Sequence, residues 1–408
     1  MRVCMLVRNL FVRDARVLRE ARSLVEAGHE VTVLALGTGD LPEREERDGI
    51  HVLRAVRAGR LAGPTILGAA GHAGPPVGRR VFARPAQAVW LRDVVLGRGF
   101  ARAARSVPAE VYHAHDLNTL EPAWRAARAH SARLVFDAHE LYTEMPGLGA
   151  GERERWRRVE RRLIGEADAV IVPSPARGDV LAERYAIEQP VVVMNCPPGS
   201  TPPDPAASPI AGLRRGSEPL LVYAGGFTTG RGLENLVLAT RMLDAGRTVM
   251  IGWGPLEAEL RALVERERVG DRVAFYGPID PDDVVAVVAG ADVGLAPYLP
   301  VGLNNLLAAP NKLFEYLHAG LAVAASDLPD IRRIVSEHEV GELFDAADPG
   351  SIASAVRRLV SPAGRLSEVR GRAAAAAARF TWQAQARILV ETYERIASAR
   401  PAASRSGR

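Results

Sequence analysis

The chain is 408 residues long, 48% apolar and 25% charged, with a net charge of +4 and two cysteines. That length exceeds one ordinary core; the composition excludes a disordered chain, and the cysteine count excludes a disulfide scaffold. No apolar run is longer than a strand, which argues against a spanning helix, and the scattered arginines favour anionic small ligands or an anionic membrane surface over nucleic acid.

The first residues enter a strand, "RVCMLV" (2–7), with no apolar leader or cleavage site, which predicts a cytoplasmic protein. A helix follows over 13–27, where Val17, Leu18, Ala21, Leu24 and Val25 recur at helical spacing. Gly28 and His29 read as its stop. Strands "VTVLAL" and "IHVLRAV" lead to the Gly/Ala/Pro-rich stretch 57–85, read as a surface loop, with an acceptor- or membrane-facing role as the sharper alternative. Next come "VYHAHD", a helix, "LVFDAH", a helix, "AVIVPS", a helix and "VVVMN". Short Val/Ile/Leu runs between amphipathic helices are what a parallel sheet buried on both faces requires. Cys4 and Cys196 fall in strand-like runs and are expected as buried thiols.

Residues 197–217 are rich in Pro, Gly and Ser and read as a linker. The alternation then restarts with "LLVYAGG", "TVMIGWG", "VAFYGP", "ADVGLAP", "AVAAS" and "GELF", each followed by a helix. The expected architecture is α/β, with two doubly wound Rossmann-like domains facing each other across a cleft and ligand sites at the C-terminal strand ends. The expected boundaries are 1–196 and 218–380, with the helix near 381–398 packing back on the first domain and a disordered tail at 400–408.

Of the 52 basic residues a single one, Lys312, is lysine, in "PNKLFEY" (310–316). Pro310 suits the first helical position, which places Asn311 and Lys312 in the first turn and Glu315 on the same face as Lys312. A helix N-terminus with an added ammonium suits phosphate oxygens, and a carboxylate one turn deeper suits two adjacent sugar hydroxyls. The competing reading is an exposed Lys–Glu pair worth a few tenths of a kcal/mol. Asp280-Pro281-Asp282 reads as a helix start with Asp280 as N-cap, not as a metal-binding pair. In the first half, His113, His115 and Asp116 end one strand, and Asp137, His139 and Glu140 end another. H-x-H beside carboxylates has zinc-ligand chemistry, but no cysteine supports it and the expected metal is none.

The whole chain resembles the GT-B glycosyltransferases of retaining family 4, or group 1, type. Glu315 followed by "GLAVAASD" matches the second half of that family's paired-glutamate signature, while Leu307 stands where its first Glu would be. The resemblance implies transfer of a sugar, with retention, from a nucleotide diphosphate sugar to an acceptor hydroxyl, without cofactor or metal; the Arg-rich, nearly lysine-free composition points to a high-GC organism and so to a cell-surface glycan or secondary metabolite as acceptor. It implies donor contacts at Gly225, Gly226 and Arg231 in "VYAGGFTTGRG", at Gly252 and Gly254 in "IGWGP", at Tyr276 beside the nucleobase, and at Asn311, Lys312, Leu313 and Glu315. His139 matches the family's active-site histidine, and Asn304 or Asn305 is a candidate to replace the missing Glu. Arg8, Asn9, Asp14 and Arg16, with His115, Asp116, Asp137 and Glu140, are the first-domain candidates near donor phosphate and acceptor, Asp14 and Arg16 having helix capping as their alternative. Arg231, Lys312 and helix amides would stabilise the departing diphosphate. The expected partners are that donor and a small-molecule, lipid-linked or glycan acceptor, with peripheral membrane contact and no nucleic acid. The rival readings are a nucleotide-sugar epimerase of the same architecture and a non-catalytic sugar-binding protein; a dehydrogenase is disfavoured because no G-x-G-x-x-G follows the first strand.

Overall fold

The computed structural model describes residues 1–38, 40–57 and 86–398. The expected loop beyond residue 57 and the expected disordered tail lie outside the described residues. The chain divides into two compact units, Met1–Val193 with Ala386–Arg408, and Met194–Gln385.

The first unit holds strands β1 (Arg2–Leu6), β2 (Glu30–Gly37), β3 (Arg44–Arg47), β4 (Ile50–Arg57), β5 (Val111–His115), β6 (Arg133–Asp137), β7 (Ala169–Val172) and β8 (Val191–Val192). They form one sheet in the order β3-β4-β2-β1-β5-β6-β7-β8. All neighbours are parallel except β3 and β4. Val3, Cys4, Met5 and Leu6 are all buried, as a central strand covered on both faces demands. Strand β3, "REER", has no strand-like composition and was not expected. It forms because Asp48 and Gly49, both at positive φ, make the tight hairpin turn that folds it back on β4.

The second unit holds β9 (Leu220–Ala224), β10 (Arg247–Ile251), β11 (Val273–Tyr276), β12 (Val293–Ala296), β13 (Ala322–Ser326) and β14 (Gly341–Phe344). The order is β11-β10-β9-β12-β13-β14, all parallel. Strand order reverses between β1 and β5 in the first sheet and between β9 and β12 in the second, which is where open α/β sheets leave a crevice at their carboxyl ends.

Residues 197–217 are not a free linker. Ile210 is buried in the second unit's core, and the Ser208 hydroxyl donates to the Val287 carbonyl. Asp204 caps a short 3-10 turn on the way. An apolar side chain amid the prolines pins the segment to the core, where composition alone suggested solvent. The last helix, Trp382–Ser398, straddles the division. The Trp382 amide bonds the Pro197 carbonyl and Gln385 accepts from the Met194 amide in the second unit, whereas Tyr393 is buried in the first. Both cysteines are buried, Cys4 within β1 and Cys196 beyond the end of β8 rather than in a strand. Among the described residues no helix is long and apolar enough to cross a membrane.

Candidate functional site

Two constellations stand at the strand-order reversals, one in each unit. In the first unit the helix Ala15–Glu26 opens with Asp14 as N-cap, its carboxylate accepting from the Val17 amide. That fixes the helix so that Arg16 and Glu20, one turn apart, both point inward and are buried. Arg16 grips Asp137 at the end of β6 with two parallel bonds of 3.0 Å each. Its third nitrogen, Nη1, donates to the Val193 carbonyl at 2.9 Å. Arg16 is therefore not the capping residue its position suggested. The same Asp137 carboxylate lies 2.9 Å from His139 Nε2 and 3.4 Å from His115 Nδ1. His139 Nδ1 faces Asp116 at 3.8 Å. Behind them His113 stacks on His115 with ring centroids 4.2 Å apart, and His113 Nδ1 bonds the Tyr393 hydroxyl at 2.8 Å.

Burial would raise the Asp137 pKa, but the Arg16 guanidinium and then His139 outweigh it and hold the carboxyl well below the usual range. Burial would likewise discharge His139; the Asp137 charge, helped by Asp116, overrides it and lifts the imidazole to about 10. Glu20 goes the other way, pushed up to about 8 by burial and by the neighbouring Asp137 charge. Burial lowers both His113 and His115, and raises Asp116 to about 6. Asp116 sits at φ 64, ψ 161, a backbone region almost reserved for glycine. Held strain of this kind concentrates at functional sites.

Glu20, His113, His115 and Asp137 bring one ligand atom each within 4.8 Å of the others, a spacing open to a metal ion. Arg16 lies 3.0 Å from both Glu20 and Asp137, so two of these four residues already face a cation.

Other first-unit candidates have structural partners. Arg8 is ion-paired with Asp93, which also binds Arg155. Asn9 shapes its own loop, accepting from the Phe11 amide and donating to Asp14. Glu140 is exposed beside the cluster. The sequence reading missed Glu20, Tyr393 and Arg177, whose guanidinium donates to the His139 carbonyl at 2.6 Å. An acidic residue on the apolar face of the first helix was a usable signal for Glu20; for Tyr393, 280 positions from His113, there was none.

In the second unit Pro310 is the N-cap and the helix runs Asn311–His318, one residue later than expected. Tyr316 ties this helix down, its hydroxyl donating to the Leu295 carbonyl of β12 and accepting from the Ala224 amide of β9. Lys312 is thereby buried, which disposes of the exposed-pair reading. Its Nζ lies 3.7 Å from the Tyr223 ring centroid and 5.3 Å from that of Tyr298, while the Arg231 guanidinium stacks on the other ring at 4.3 Å from the Tyr298 centroid. Burial, then the Arg231 charge, push the Lys312 pKa well below its ordinary value, with Glu315 partly opposing. Gly225, at φ +145, leaves the room this requires: a Cβ there would stand 2.8 Å from Lys312 Nζ. Gly252 comes so close that its Cβ would lie 2.1 Å from the Gly225 carbonyl oxygen, which brings the 252–254 turn against the 225–226 turn.

Leu313 has its side chain in the core, since it shares a face with the buried Leu317, and leaves only backbone for a ligand. Asn311 is exposed at the helix start, Glu315 half-buried, and Tyr276 half-buried at the end of β11. Asn305 is occupied structurally, donating to the Gly230 and Leu299 carbonyls, and so is a poor replacement for the missing first Glu at Leu307. Asp280 is not a helix N-cap. Its carboxylate accepts from the Asp282 amide in a turn that precedes the helix Val284–Val288, which Asp283 begins.

Comparison with known proteins accords with this layout. The profile described as "Glycosyltransferase Family 4" matches residues 15–197, and that described as "Glycosyl transferases group 1" matches 218–362. The chain is 26% identical over 409 residues to a D-inositol 3-phosphate glycosyltransferase of Xylanimonas cellulosilytica, covering 95% of this chain and 92% of that one. It is 25% identical to a 2-deoxystreptamine glucosyltransferase of Streptomyces kanamyceticus, over 94% of this chain and 98% of that protein. Among solved structures, sucrose-phosphate synthase from Thermosynechococcus elongatus superposes with a TM-score of 0.75 at 21% identity, covering 98% of this chain and all (100%) of that one. Anabaena HepE in complex with UDP superposes with a TM-score of 0.67 at 14% identity, over 97% of this chain and 100% of that one. The chain belongs to the family 4, group 1 glycosyltransferases and is a glycosyltransferase of the GT-B fold.

Proposed function

We propose that this enzyme transfers a sugar with retention from a nucleotide diphosphate sugar to a hydroxyl of a small polyhydroxylated acceptor, without a metal ion. One observation carries the donor half: the chain's single lysine is buried beside Arg231 at the strand-order reversal of the second unit, with no carboxylate salt-bridged to it among the described residues. A depressed ammonium next to a guanidinium is unfavourable until a dianion arrives, and a diphosphate relieves both. Glu315, one turn on, serves the ribose hydroxyls. Leaving-group charge is stabilised by Lys312, Arg231 and helix amides, a preorganised electrostatic arrangement. His139 lies beside the donor sugar in this reading. The acceptor hydroxyl attacks on the face the diphosphate leaves, and its proton goes to the departing phosphate.

For the acceptor, the names of two relatives support a cyclitol: one acts on D-inositol 3-phosphate and one on 2-deoxystreptamine. That makes a secondary metabolite or cell-surface glycan precursor the product class. A thermal-shift screen of UDP, GDP, dTDP and CDP sugars tests the donor, since a ligand at a hundred times its Kd adds about 2.7 kcal/mol of stability. One nucleobase series should stabilise the protein and the others should not. Incubating that donor with inositol phosphates and aminocyclitols, and reading the anomeric configuration of the product by NMR, tests acceptor and retention together. An inverted anomer, or an epimerised donor formed without acceptor, would overturn the reading.

A further inference from the structure

We propose that Asp137 and Arg16 form a positioning pair that locks His139 as an imidazolium, so that His139 acts as a fixed positive charge and hydrogen-bond donor and never as the base that takes the acceptor's proton. The inference rests on the reading of His139 as a residue of the transfer site. Its geometric basis lies within the first unit. Asp137 is fully buried and anchored through both oxygens by the parallel donors of Arg16, each at 3.0 Å. Arg16 cannot swing away, because its third donor is bonded to the Val193 carbonyl and the Glu20 carboxyl lies 3.0 Å from it. The carboxylate so fixed stands 2.9 Å from His139 Nε2. The second ring nitrogen faces Asp116 at 3.8 Å. A general base needs a lone pair open to the incoming hydroxyl; here Nε2 is taken up between the Asp137 carboxylate and His115 Nδ1, 3.1 Å away, and Nδ1 faces the Asp116 carboxylate. The backbone is held as well, with Arg177 on the His139 carbonyl.

The titratable and charged groups around the ring come from three elements: Asp137 from β6, His113, His115 and Asp116 from β5 and its end, and Arg16 and Glu20 from the helix Ala15–Glu26, while Arg177 of the helix Pro175–Tyr185 holds the backbone carbonyl. His115 stays neutral because burial discharges it. The two carboxylates outweigh Arg16, which is itself spent on Asp137, and the imidazole pKa of about 10 follows. His139 keeps 20% of its side-chain surface open and Asp116 keeps 32%, so the cluster presents its charge outward through these two residues.

The test is the titration of His139 itself. Heteronuclear NMR of the imidazole nitrogens, assigned by the signal lost in His139→Gln, should report an imidazolium from pH 6 to pH 9 in the wild type. In Asp137→Asn the midpoint should fall by two units or more. The variant's kcat should then fall roughly tenfold per pH unit above the new midpoint, because the charged form is the active one. Arg16→Lys should lower kcat with a smaller fall in the His139 midpoint, since the charge remains but the two-point grip does not. A wild-type His139 titrating near pH 6.5 overturns the inference, even if neither variant folds. Because that reading needs no substrate, it is separable from the donor assignment; normal turnover of His139→Gln would instead remove the reading beneath it.

Discussion

Replacing Lys312 by methionine should raise folding stability while lowering turnover, and the structure supplies both magnitudes. Lys312 is 6% exposed, with its ammonium against the Tyr223 and Tyr298 rings and beside Arg231. Its folded pKa is depressed, so the unfolded chain binds more protons and wild-type stability climbs with pH from the depressed value up to the unfolded one, about 10.4. Below that window each unit of depression removes about 1.4 kcal/mol. Methionine fills a similar volume with no charge to desolvate, and forfeits cation–π attraction of about 1–2 kcal/mol. The downward pKa says the surroundings disfavour the charge on balance, so Lys312→Met should gain on the order of 1 kcal/mol at neutral pH and lose the alkaline rise in stability. In kcat/KM it should lose about 2–4 kcal/mol, roughly 30- to 1,000-fold, the scale of one preorganised charge contact. Lys312→Arg should also impair transfer, because a wider fork must fit where a Cβ on Gly225 would already come within 2.8 Å of Nζ. Urea unfolding at pH 7 and pH 9, with kinetics at limiting and saturating donor, reads all of this. Normal turnover in both variants, or a Lys312→Met protein less stable than wild type with an unchanged pH slope, refutes the reasoning.

Three further outcomes are expected. Asp116→Gly relieves backbone strain of about 1–3 kcal/mol against a glycine entropy cost of roughly 0.5–1, so urea unfolding should show a gain near 1 kcal/mol with reduced kcat; a less stable variant contradicts the strain argument. Tyr393→Phe leaves the buried His113 Nδ1 without its partner and should cost about 1–3 kcal/mol in the same assay, whereas an unchanged midpoint would mean the bond is idle. Turnover should persist in EDTA, since Lys312, Arg231 and helix amides neutralise the diphosphate; a complete loss restored by Mg²⁺ or Mn²⁺ rules this out.

The parallel sheets were legible because every strand of each, the edge hairpin apart, is a short apolar run bounded by turn residues. Strand β3 was not, because a hairpin edge owes its existence to the Asp48–Gly49 turn more than to its own "REER" composition. The linker reading of 197–217 failed for a related reason. Composition reports how flexible a segment would be alone, and one buried isoleucine is enough to dock it. Arg16 shows the same limit at the site, where a first-turn position suggested capping and the side chain turned inward to a partner 121 residues on.

By itself the sequence determined the layout: α/β alternation in two halves, polar strand ends at His113–Asp116 and Asp137–Glu140, and one lysine at a helix start behind a strand. Periodicity determines which face of an element is buried, and strand ends are where such sheets place ligands, so these features need no knowledge of neighbours. Only the tertiary structure decided who meets whom. The first-unit cluster draws on β5, β6, the first helix and the last, and its charges follow from that company: Asp137 ionised because Arg16 reaches it, His139 cationic because Asp137 does. Lys312 is buried because Tyr223 and Gly225, far away in the chain, close around it together with Tyr298. A pKa is set by burial and by charges within a few ångströms, and those distances are created by the order of strands in the sheet, which local sequence does not encode.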